Sequence, residues 1–526
     1  MKKIFVLTAL LAALVLTGCN KDFLETQPTN KGASEQIFAD SESALTAING
    51  LYRLMYTGGW GDAWEPENGG LPAYIEIFDL YAEDHVMEPG SSGWFYYDYA
   101  YDTWTDYTHD HGHSYNMWNF FYTLICNANY VIAQEETLEG DEDMKNYVMG
   151  QAYAVRSMSY WWLANAFCFN GGDAQDARRT SMAGVPVYTE PTVAGSAGKG
   201  RGTIQETYDQ INNDIDKAIS YLEAYKGKQL HKSHIDKYVA YGLKARAAMT
   251  QRDYTAALAA AEKAMEGASI VDFTAGAKAI NDVSANNVLW GLAIQTDQAI
   301  GSWDIMDHMD ADCKSTYSDA RHLIGNWLYD EIPAGDGRLT WWTAPLPEDE
   351  WGVAGTENGS KASYVQKKIV YINATAMTGD HVLMREEEMY LTAAEAACHL
   401  GQYTKARDYV EAVGEKRVAG YADRLAKYPD SKSITPTTSG VISLMDEILL
   451  QRRIELWGEY PRMFDLQRLD LGFRRDWPES NHTEDLTASK FNTEAGSQQF
   501  ILHLPDSEFD ANKALDRETD QNPAFK

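Results

Sequence analysis

Large aromatic rings and aspartates share one short run near residue 100, and together they have the chemistry of a ligand platform. The run reads WFYYDYAYDTW, from Trp94 to Trp104, and directly follows the loop-forming EPGSSG of residues 88–93. A core strand would use Val, Ile and Leu instead. Rings with polar tips can pack inward while their tips form hydrogen bonds, or they can offer flat apolar faces to a ligand. These residues alone leave both interpretations open.

Histidines and charged residues could also support metal binding or catalysis, but their patterns in this sequence are weaker. HDHGH, residues 109–113, places histidines at alternate positions, but no further ligand can be named for it, and we predict no metal site. The chain lacks HExxH, GxSxG and the Walker loop. MREEEMY is typical of a solvated or ion-paired helix face. The charges between Arg452 and Arg468 alternate in sign at helical spacing, which indicates a structural ion-pair network. We therefore predict no catalytic residue and no cofactor.

The N-terminus carries a specific export signal. Lys2 and Lys3 precede an apolar run from Ile4 to Leu16, which is too short for a membrane span. The run ends in LTGC, which resembles a bacterial lipobox whose cysteine is lipidated after cleavage. We predict a signal peptide at residues 1–18 and lipidation of Cys19; the alternative is a plain secretory peptide. Several acyl chains on one cysteine give a stable membrane anchor.

The net charge and the cysteine content argue against some classes of function. The 526 residues carry a formal net charge of -32, which repels phosphate backbones and argues against nucleic-acid binding. The 44% hydrophobic content supports a large core. No CxxC pair occurs, and Cys126, Cys168 and Cys398 lie among apolar neighbours, so free buried thiols are expected.

Helical periodicity dominates the elements that must position these residues. It begins at Ser41, returns after an irregular, aromatic-rich stretch at 57–113, and is clearest after Thr203, a predicted N-cap. Residues 270–380 are loop-rich. Residues 243–265 align with 392–414, so that Tyr254 matches Tyr403 and the small alanines coincide. This is the pattern of tetratricopeptide (TPR) helix pairs. We predict a mainly α fold, an interrupted TPR-like scaffold that carries long aromatic loops.

Seven segments in order resemble the SusD/RagB family of Bacteroidetes outer-membrane lipoproteins. They are CNKDFLETQPTN, WNFFYTLICNAN, AYAVRSMSYWWLANAFCFNGG with GVPVY, YDEIPAGDGRLTWW, MREEEMYLTAAEAACHLGQY, ILLQRRIELWGEYPRMFDLQRL and the tail LPDSEFDANKAL…QNPAF. The departures are Gln451 in place of glutamate, Tyr460 in place of glycine and Lys513 in place of proline. The resemblance divides the mature chain into an N-terminal SusD-like region, 19–226, and a RagB/SusD region, 227–526.

The resemblance implies a cell-surface protein that captures a nutrient, most often a glycan, and sits as a lid over a SusC-like TonB-dependent transporter. Aromatic planes stack on the C–H faces of sugars, while polar side chains bind the hydroxyls. The ligand face then combines the early aromatic loop with the later insertion. The expected ligand-binding residues are Trp94, Tyr96, Tyr97, Tyr101, Trp104, Trp303 and Trp327, whereas Trp118, Trp161 and Trp162 lie in helices and are assigned to the core.

Two alternatives to glycan capture stay open on the sequence. A peptide ligand would keep the same uptake role, and the acidity of the chain would steer cationic peptides toward it. A glycoside hydrolase of helical fold would need two carboxyl groups at a defined separation, which a sequence does not give. We expect a binding protein rather than an enzyme.

Overall fold

The computed structural model describes residues 38–58, 65–88, 93–101, 112–169, 182–193, 195–315, 318–436, 438–482 and 492–522. The predicted signal peptide, Cys19, Trp104, His109 and His111 lie outside these residues. Within the described ranges, no helix combines the length and the hydropathy needed to cross a bilayer.

The N-terminal part is built mainly from long helices. In chain order its elements are α1 (Ser41–Leu54), α2 (Leu71–Leu80), β1 (His85–Met87), α3 (Tyr96–Tyr99), α4 (His113–Ile132), α5 (Glu142–Phe167) and α6 (Ile204–Ala224). The predicted N-cap of α6 is confirmed: Thr203 and Glu206 form a reciprocal capping box. The apolar stripe of α6, from Ile204 to Leu222, is buried.

The C-terminal part holds the two helix pairs of the repeat and the loop-rich insertion between them. Its elements are α7 (Lys237–Thr250), α8 (Tyr254–Ala264), β2 (Val288–Leu292), α9 (Ile305–Met309), β3 (His322–Ile324), α10 (Asn326–Asp330), β4 (His381–Arg385), α11 (Glu386–His399), α12 (Tyr403–Gly414), α13 (Tyr421–Leu425), α14 (Leu444–Glu455), α15 (Arg462–Leu469), α16 (Asp506–Ala511) and α17 (Arg517–Asp520). Strand β1 pairs antiparallel with β3, and β2 pairs antiparallel with β4.

The predicted repeat is confirmed as two packed helix pairs, α7–α8 and α11–α12. Each helix from α4 to α8 packs against the next helix in the chain, and α8 then packs against α11. The shared alanines are buried, which lets the helices approach closely. The ring of Tyr254 stacks on His399 with centroids 3.9 Å apart, and this contact joins the two pairs.

The stretch 57–113, expected to be irregular, contains a helix that the sequence analysis missed. Every residue of α2, LPAYIEIFDL, is buried. A helix surrounded by protein needs no polar face, so its sequence shows no amphipathic period. Gly70 begins it at φ 82, where a Cβ would lie 2.4 Å from the carbonyl oxygen of Met55. The core assignment of Trp118, Trp161 and Trp162 is confirmed, each being about 3% exposed.

The charges expected to form a network do so, but inside the protein rather than on a solvated face. Glu455 accepts hydrogen bonds from Arg338, Arg385 and Arg417, and all four side chains are buried. Burial raises the pKa of Glu455, but the three guanidinium groups outweigh it and hold that pKa well below its ordinary value. Because the acidic residues of MREEEMY are also buried, the solvated interpretation of that motif is wrong.

The cysteines are free thiols among the described residues. Cys168 and Cys398 are buried as expected, and so is Cys313. Cys126 differs, because it lies half-buried on α4.

Candidate ligand-binding face

The described part of the aromatic run, residues 94–101, folds into a strained turn around a single short helix. Phe95 at φ 59 precedes α3 and Tyr101 at φ 60 follows it, so residues with large side chains occupy left-handed backbone at both ends. Such conformations cost about 1–3 kcal/mol each and persist only when surrounding contacts enforce them. Strain of this kind clusters at ligand clamps and active sites, so it marks the segment as a functional candidate.

Buried polar groups hold this segment in place. The backbone N–H of Phe95 donates to Glu67 Oε1 at 2.7 Å. The Arg475 guanidinium donates to the carbonyl oxygens of Tyr99, Leu80 and Ala82, and it also lies over the ring of Tyr99 at 4.7 Å. Arg475 therefore joins the aromatic segment to the C-terminal end of α2.

The first aspartate of the run, Asp98, has a structural role. Asp98 is buried and lies 2.5 Å from His113 Nε2, the last histidine of HDHGH. Burial lowers the pKa of His113, but the charge and hydrogen bond of Asp98 outweigh burial and raise it above its ordinary value. The expectation that the aspartates of this run meet a ligand is therefore wrong for Asp98, and His113 is held in an ion pair.

The predicted rings of this segment divide between core and surface. Tyr97 is 50% exposed and Trp94 is half-buried. Tyr96 and Tyr101 are only 7% and 6% exposed, and the Tyr101 hydroxyl donates to the carbonyl of Tyr81 at 2.7 Å. The rings of Tyr97 and Trp94 are thus accessible at the surface, whereas Tyr96 and Tyr101 are buried in the core beside them.

Trp303 lies beside the base of the aromatic segment. It is half-buried in the 3-10 turn Gly301–Trp303. The carbonyl oxygen of Trp303 packs against Gly69, and a Cβ added to Gly69 would lie only 3.0 Å from that oxygen. Gly69 closes the turn that carries Glu67, which binds Phe95. The insertion and the early loop therefore meet here, as the sequence predicted.

Trp327 belongs to a second aromatic group, which includes a tryptophan that the sequence analysis did not select. Trp327 is half-buried on α10, with the Arg453 guanidinium 4.9 Å from its ring centroid. The neighbouring Asn326 accepts a hydrogen bond from Trp477 Nε1 at 2.8 Å. Asn481 donates to the carbonyl of Ile324 and accepts from the backbone of Asn326. The available signal was the mixture of Trp, Pro and Asn in RRDWPESNH, 474–482.

A continuous path of ring contacts connects the two groups. Tyr97 contacts Tyr96 with centroids 6.3 Å apart, Tyr96 contacts Tyr99 at 6.0 Å, Tyr99 stacks on His482 at 5.7 Å, and His482 contacts Trp477 at 5.0 Å. The connecting rings of Tyr96, Tyr99 and His482 are buried. We call the partly exposed side chains of the two groups the aromatic face: Trp94, Tyr97, Asn326, Trp327, Trp477 and Asn481. It joins flat apolar rings to amide groups, which is the donor and acceptor chemistry that polyhydroxylated rings require.

A second concave surface lies elsewhere on the protein. Trp118, Tyr122, Asn129, Tyr188 and Glu508 line a groove of about 420 Å³ along α4. Trp118 Nε1 donates to Glu508 and the Tyr122 hydroxyl donates to a backbone carbonyl, just as the amides of Asn326 and Asn481 form internal hydrogen bonds in the aromatic face. The groove is the rival location for a ligand.

Comparisons with known proteins agree with this architecture. Two family models match: a SusD-like model described as "Starch-binding associating with outer membrane" over residues 22–249, and the "SusD family" model over residues 346–525. A protein named SusD-like protein P38 from Formosa agariphila is 23% identical over 512 residues, covering 90% of this chain and 92% of that protein.

Solved structures share the fold across nearly the whole chain. A SusD-like carbohydrate binding protein from Bacteroides vulgatus has a TM-score of 0.72 at 22% identity, covering 93% of this chain and 99% of its own. A SusD superfamily protein from Bacteroides thetaiotaomicron has a TM-score of 0.71 at 22% identity, covering 92% and 100%. With SusD models matching both the N-terminal and C-terminal regions and the same fold throughout, this chain belongs to the SusD family.

Proposed function

We propose that this protein captures oligosaccharides or polysaccharides at the cell surface and passes them to a SusC-like TonB-dependent transporter. The aromatic face carries the proposal, because its half-exposed rings and amides sit on a backbone that buried polar contacts hold in place. Each stacked ring contributes on the order of 1 kcal/mol, by analogy with aromatic pairs, so a ligand must span several of them.

Two relatives support the choice of a glycan ligand. The Bacteroides vulgatus structure is titled a carbohydrate binding protein. A surface glycan-binding protein A from Bacteroides thetaiotaomicron shares the fold with a TM-score of 0.65 at 15% identity, covering 92% of this chain and 99% of its own. The placement at the outer membrane rests on the lipobox at Cys19, with the lipid as the anchor, and on the outer-membrane description of the matching family model.

The ion pairs formed by carboxylates near the aromatic face favour a binding role over glycoside hydrolysis. Asp98 pairs with His113, and Asp84 and Glu83 pair with Arg453. Carboxylates held this way are poor proton donors, because an adjacent cation favours the ionised form.

A cationic peptide is the second candidate ligand, and the charge of the protein favours it. The net charge is -32, and the exposed carboxylates of Asp330, Asp476 and Glu479 lie next to residues of the aromatic face. Such a field accelerates the association of positively charged partners and weakens with added salt.

The deciding experiment is a binding screen of the purified protein against neutral polysaccharides and cationic peptides, at low and high salt. We expect salt-insensitive binding to at least one polysaccharide, without release of new reducing ends. Tyr97→Ala should weaken it about fivefold, the loss expected for one stacked ring worth about 1 kcal/mol, while Tyr130→Ala, which removes a half-buried tyrosine from α4, should leave it unchanged. Binding confined to peptides and lost at high salt would establish the second candidate, and new reducing ends would establish an enzyme.

A further inference from the structure

Three side chains from separate parts of the chain converge at one buried point. Glu76 comes from α2, His85 from β1 and His322 from β3. All three are buried, and both histidines are inaccessible to solvent. In the antiparallel pair of β1 and β3, His85 lies opposite Ile324 and His322 lies opposite Met87. The two histidines are therefore offset by two positions and lie on the same face of the pair.

Their potential ligand atoms form a small triangle. His85 Nε2 lies 3.0 Å from His322 Nδ1, Glu76 Oε1 lies 3.2 Å from His85 Nε2, and Glu76 Oε1 lies 2.9 Å from His322 Nδ1. Bonds of about 2.0–2.1 Å from zinc to nitrogen and oxygen place tetrahedral ligand atoms about 3.3 Å apart. The triangle therefore has nearly the size of one face of a zinc coordination shell.

The hydrogen bonds around His85 direct its Nε2 lone pair into the triangle. Asp79 accepts backbone N–H bonds from Gly458 and Arg462, each at 3.2 Å, so it acts as an acceptor. His85 Nδ1 lies 3.1 Å from Asp79 Oδ2 and therefore carries the proton that it donates there. A carboxylate that orients a histidine in this way is the usual outer partner of a zinc ligand. Trp457 stacks on the imidazole with centroids 4.1 Å apart and fixes its plane.

Hydrogen bonding leaves one atom of the triangle unsatisfied, because His85 Nε2 and His322 Nδ1 are hydrogen-bonded to each other and Glu76 Oε1 is not bonded to either. Glu76 Oε1 is close to both imidazoles, yet its geometry gives it no hydrogen bond among the described residues. A buried polar atom without a partner destabilises the folded protein. A divalent cation would satisfy all three atoms at once. Glu76 also lines a cavity of about 40 Å³, which has room for a water molecule.

We propose that Glu76, His85 and His322 bind a structural divalent transition-metal ion, best suited to zinc, with Asp79 as the residue that positions His85. Two imidazoles and one carboxylate match the ligand preference of zinc. The two negative carboxylates of Glu76 and Asp79 balance the charge of one such ion. The ion would tie α2 to the insertion directly beneath the aromatic segment, because the Phe95 ring lies 6.3 Å from His322.

The test uses the purified protein stripped with a chelator and titrated with Zn²⁺ in a competitive chromophoric assay. We expect one tight equivalent per chain and a higher melting temperature with zinc. Glu76→Gln and His322→Gln should each lower the zinc affinity at least 100-fold, and Asp79→Asn should lower it about 10- to 100-fold. His231→Gln, which removes an exposed histidine, should retain the parent affinity.

Cobalt replacement keeps the proposal testable if the variants fail to fold. The parent protein loaded with one equivalent of Co²⁺ should show visible d–d bands of a low-symmetry site, without thiolate charge-transfer bands. A stripped parent that binds no stoichiometric Zn²⁺ and gives the Co²⁺ spectrum of the aqueous ion would overturn the proposal. Full zinc affinity in a folded Glu76→Gln variant would overturn it equally.

Discussion

Replacing Glu67 by glutamine should make the protein more resistant to rising pH. Glu67 is buried beneath the aromatic segment and accepts the backbone N–H of Phe95 at 2.7 Å. Burial, followed by the nearby charge of Asp98, raises the pKa of Glu67 from 4.5 to about 8. Glutamine has the same shape and keeps the accepting oxygen, but it cannot ionise.

The direction and size of this change in stability follow from the difference between the pKa of Glu67 in the folded and in the unfolded protein. Below pH 4.5 Glu67 is protonated in both the folded and the unfolded protein and costs nothing. Between pH 4.5 and about 8 only the unfolded chain has lost the proton, so the folded state loses stability as pH rises. The slope is about 1.4 kcal/mol per pH unit, which gives about 3 kcal/mol between pH 5.5 and 7.5.

The assay compares the denaturant midpoints of the parent and Glu67→Gln from pH 5 to 8. The midpoint of the parent should fall relative to that of the variant across this range. Glu65→Gln removes one carboxylate from a partly exposed side chain two residues away and should follow the parent. A constant difference between Glu67→Gln and the parent at every pH would refute the reasoning.

Three further predictions concern the face, the ionic core and the anchor. Tyr97→Ala should leave stability within about 1 kcal/mol of the parent because the ring is half exposed, whereas Tyr101→Ala should cost about 3–5 kcal/mol; equal losses in chemical denaturation would contradict this. Gln451→Glu should destabilise the protein by about 1–3 kcal/mol, because the Gln451 amide donates to Glu447 at 2.9 Å, and Glu447→Gln in the same chain should restore stability. Cys19→Ser should release the protein from outer-membrane fractions in cells without the transporter, and retention there would remove the lipid anchor from the account.

The helical scaffold could be predicted because its signals are local. The stripe of α6 and the alanine register of the two repeats depend on residues three to seven positions apart, and a helix turns that spacing into one face. The helix α2 could not be found in this way, since complete burial removes the polar face on which the pattern depends.

The departures from the family pattern also have structural explanations. Gln451 accepts a hydrogen bond from Arg338 at 2.6 Å, so it replaces the expected glutamate as an acceptor. Tyr460 fills the position of the expected glycine with a buried ring, and Arg452 and Arg246 lie 4.6 and 5.4 Å from its centroid.

The candidate face was predictable only in part, because distant contacts decide which rings are exposed. Glu67, Tyr81 and Arg475 bind the backbone or the rings of the aromatic run from 20 to almost 400 residues away. The aromatic composition identified the run as unusual but could not show that Tyr97 is exposed and Tyr101 is buried. Trp477 was missed because its role depends on a contact with Asn326, 151 residues earlier.

The structure of the protein bound to an oligosaccharide selected by the screen tests the central claim most directly. The account predicts sugar rings stacked on Tyr97 and on at least one of Trp94, Trp327 and Trp477, with hydroxyl groups bound by Asn326 or Asn481. A ligand in the groove between Trp118 and Tyr188, with the aromatic face uncovered, would contradict it.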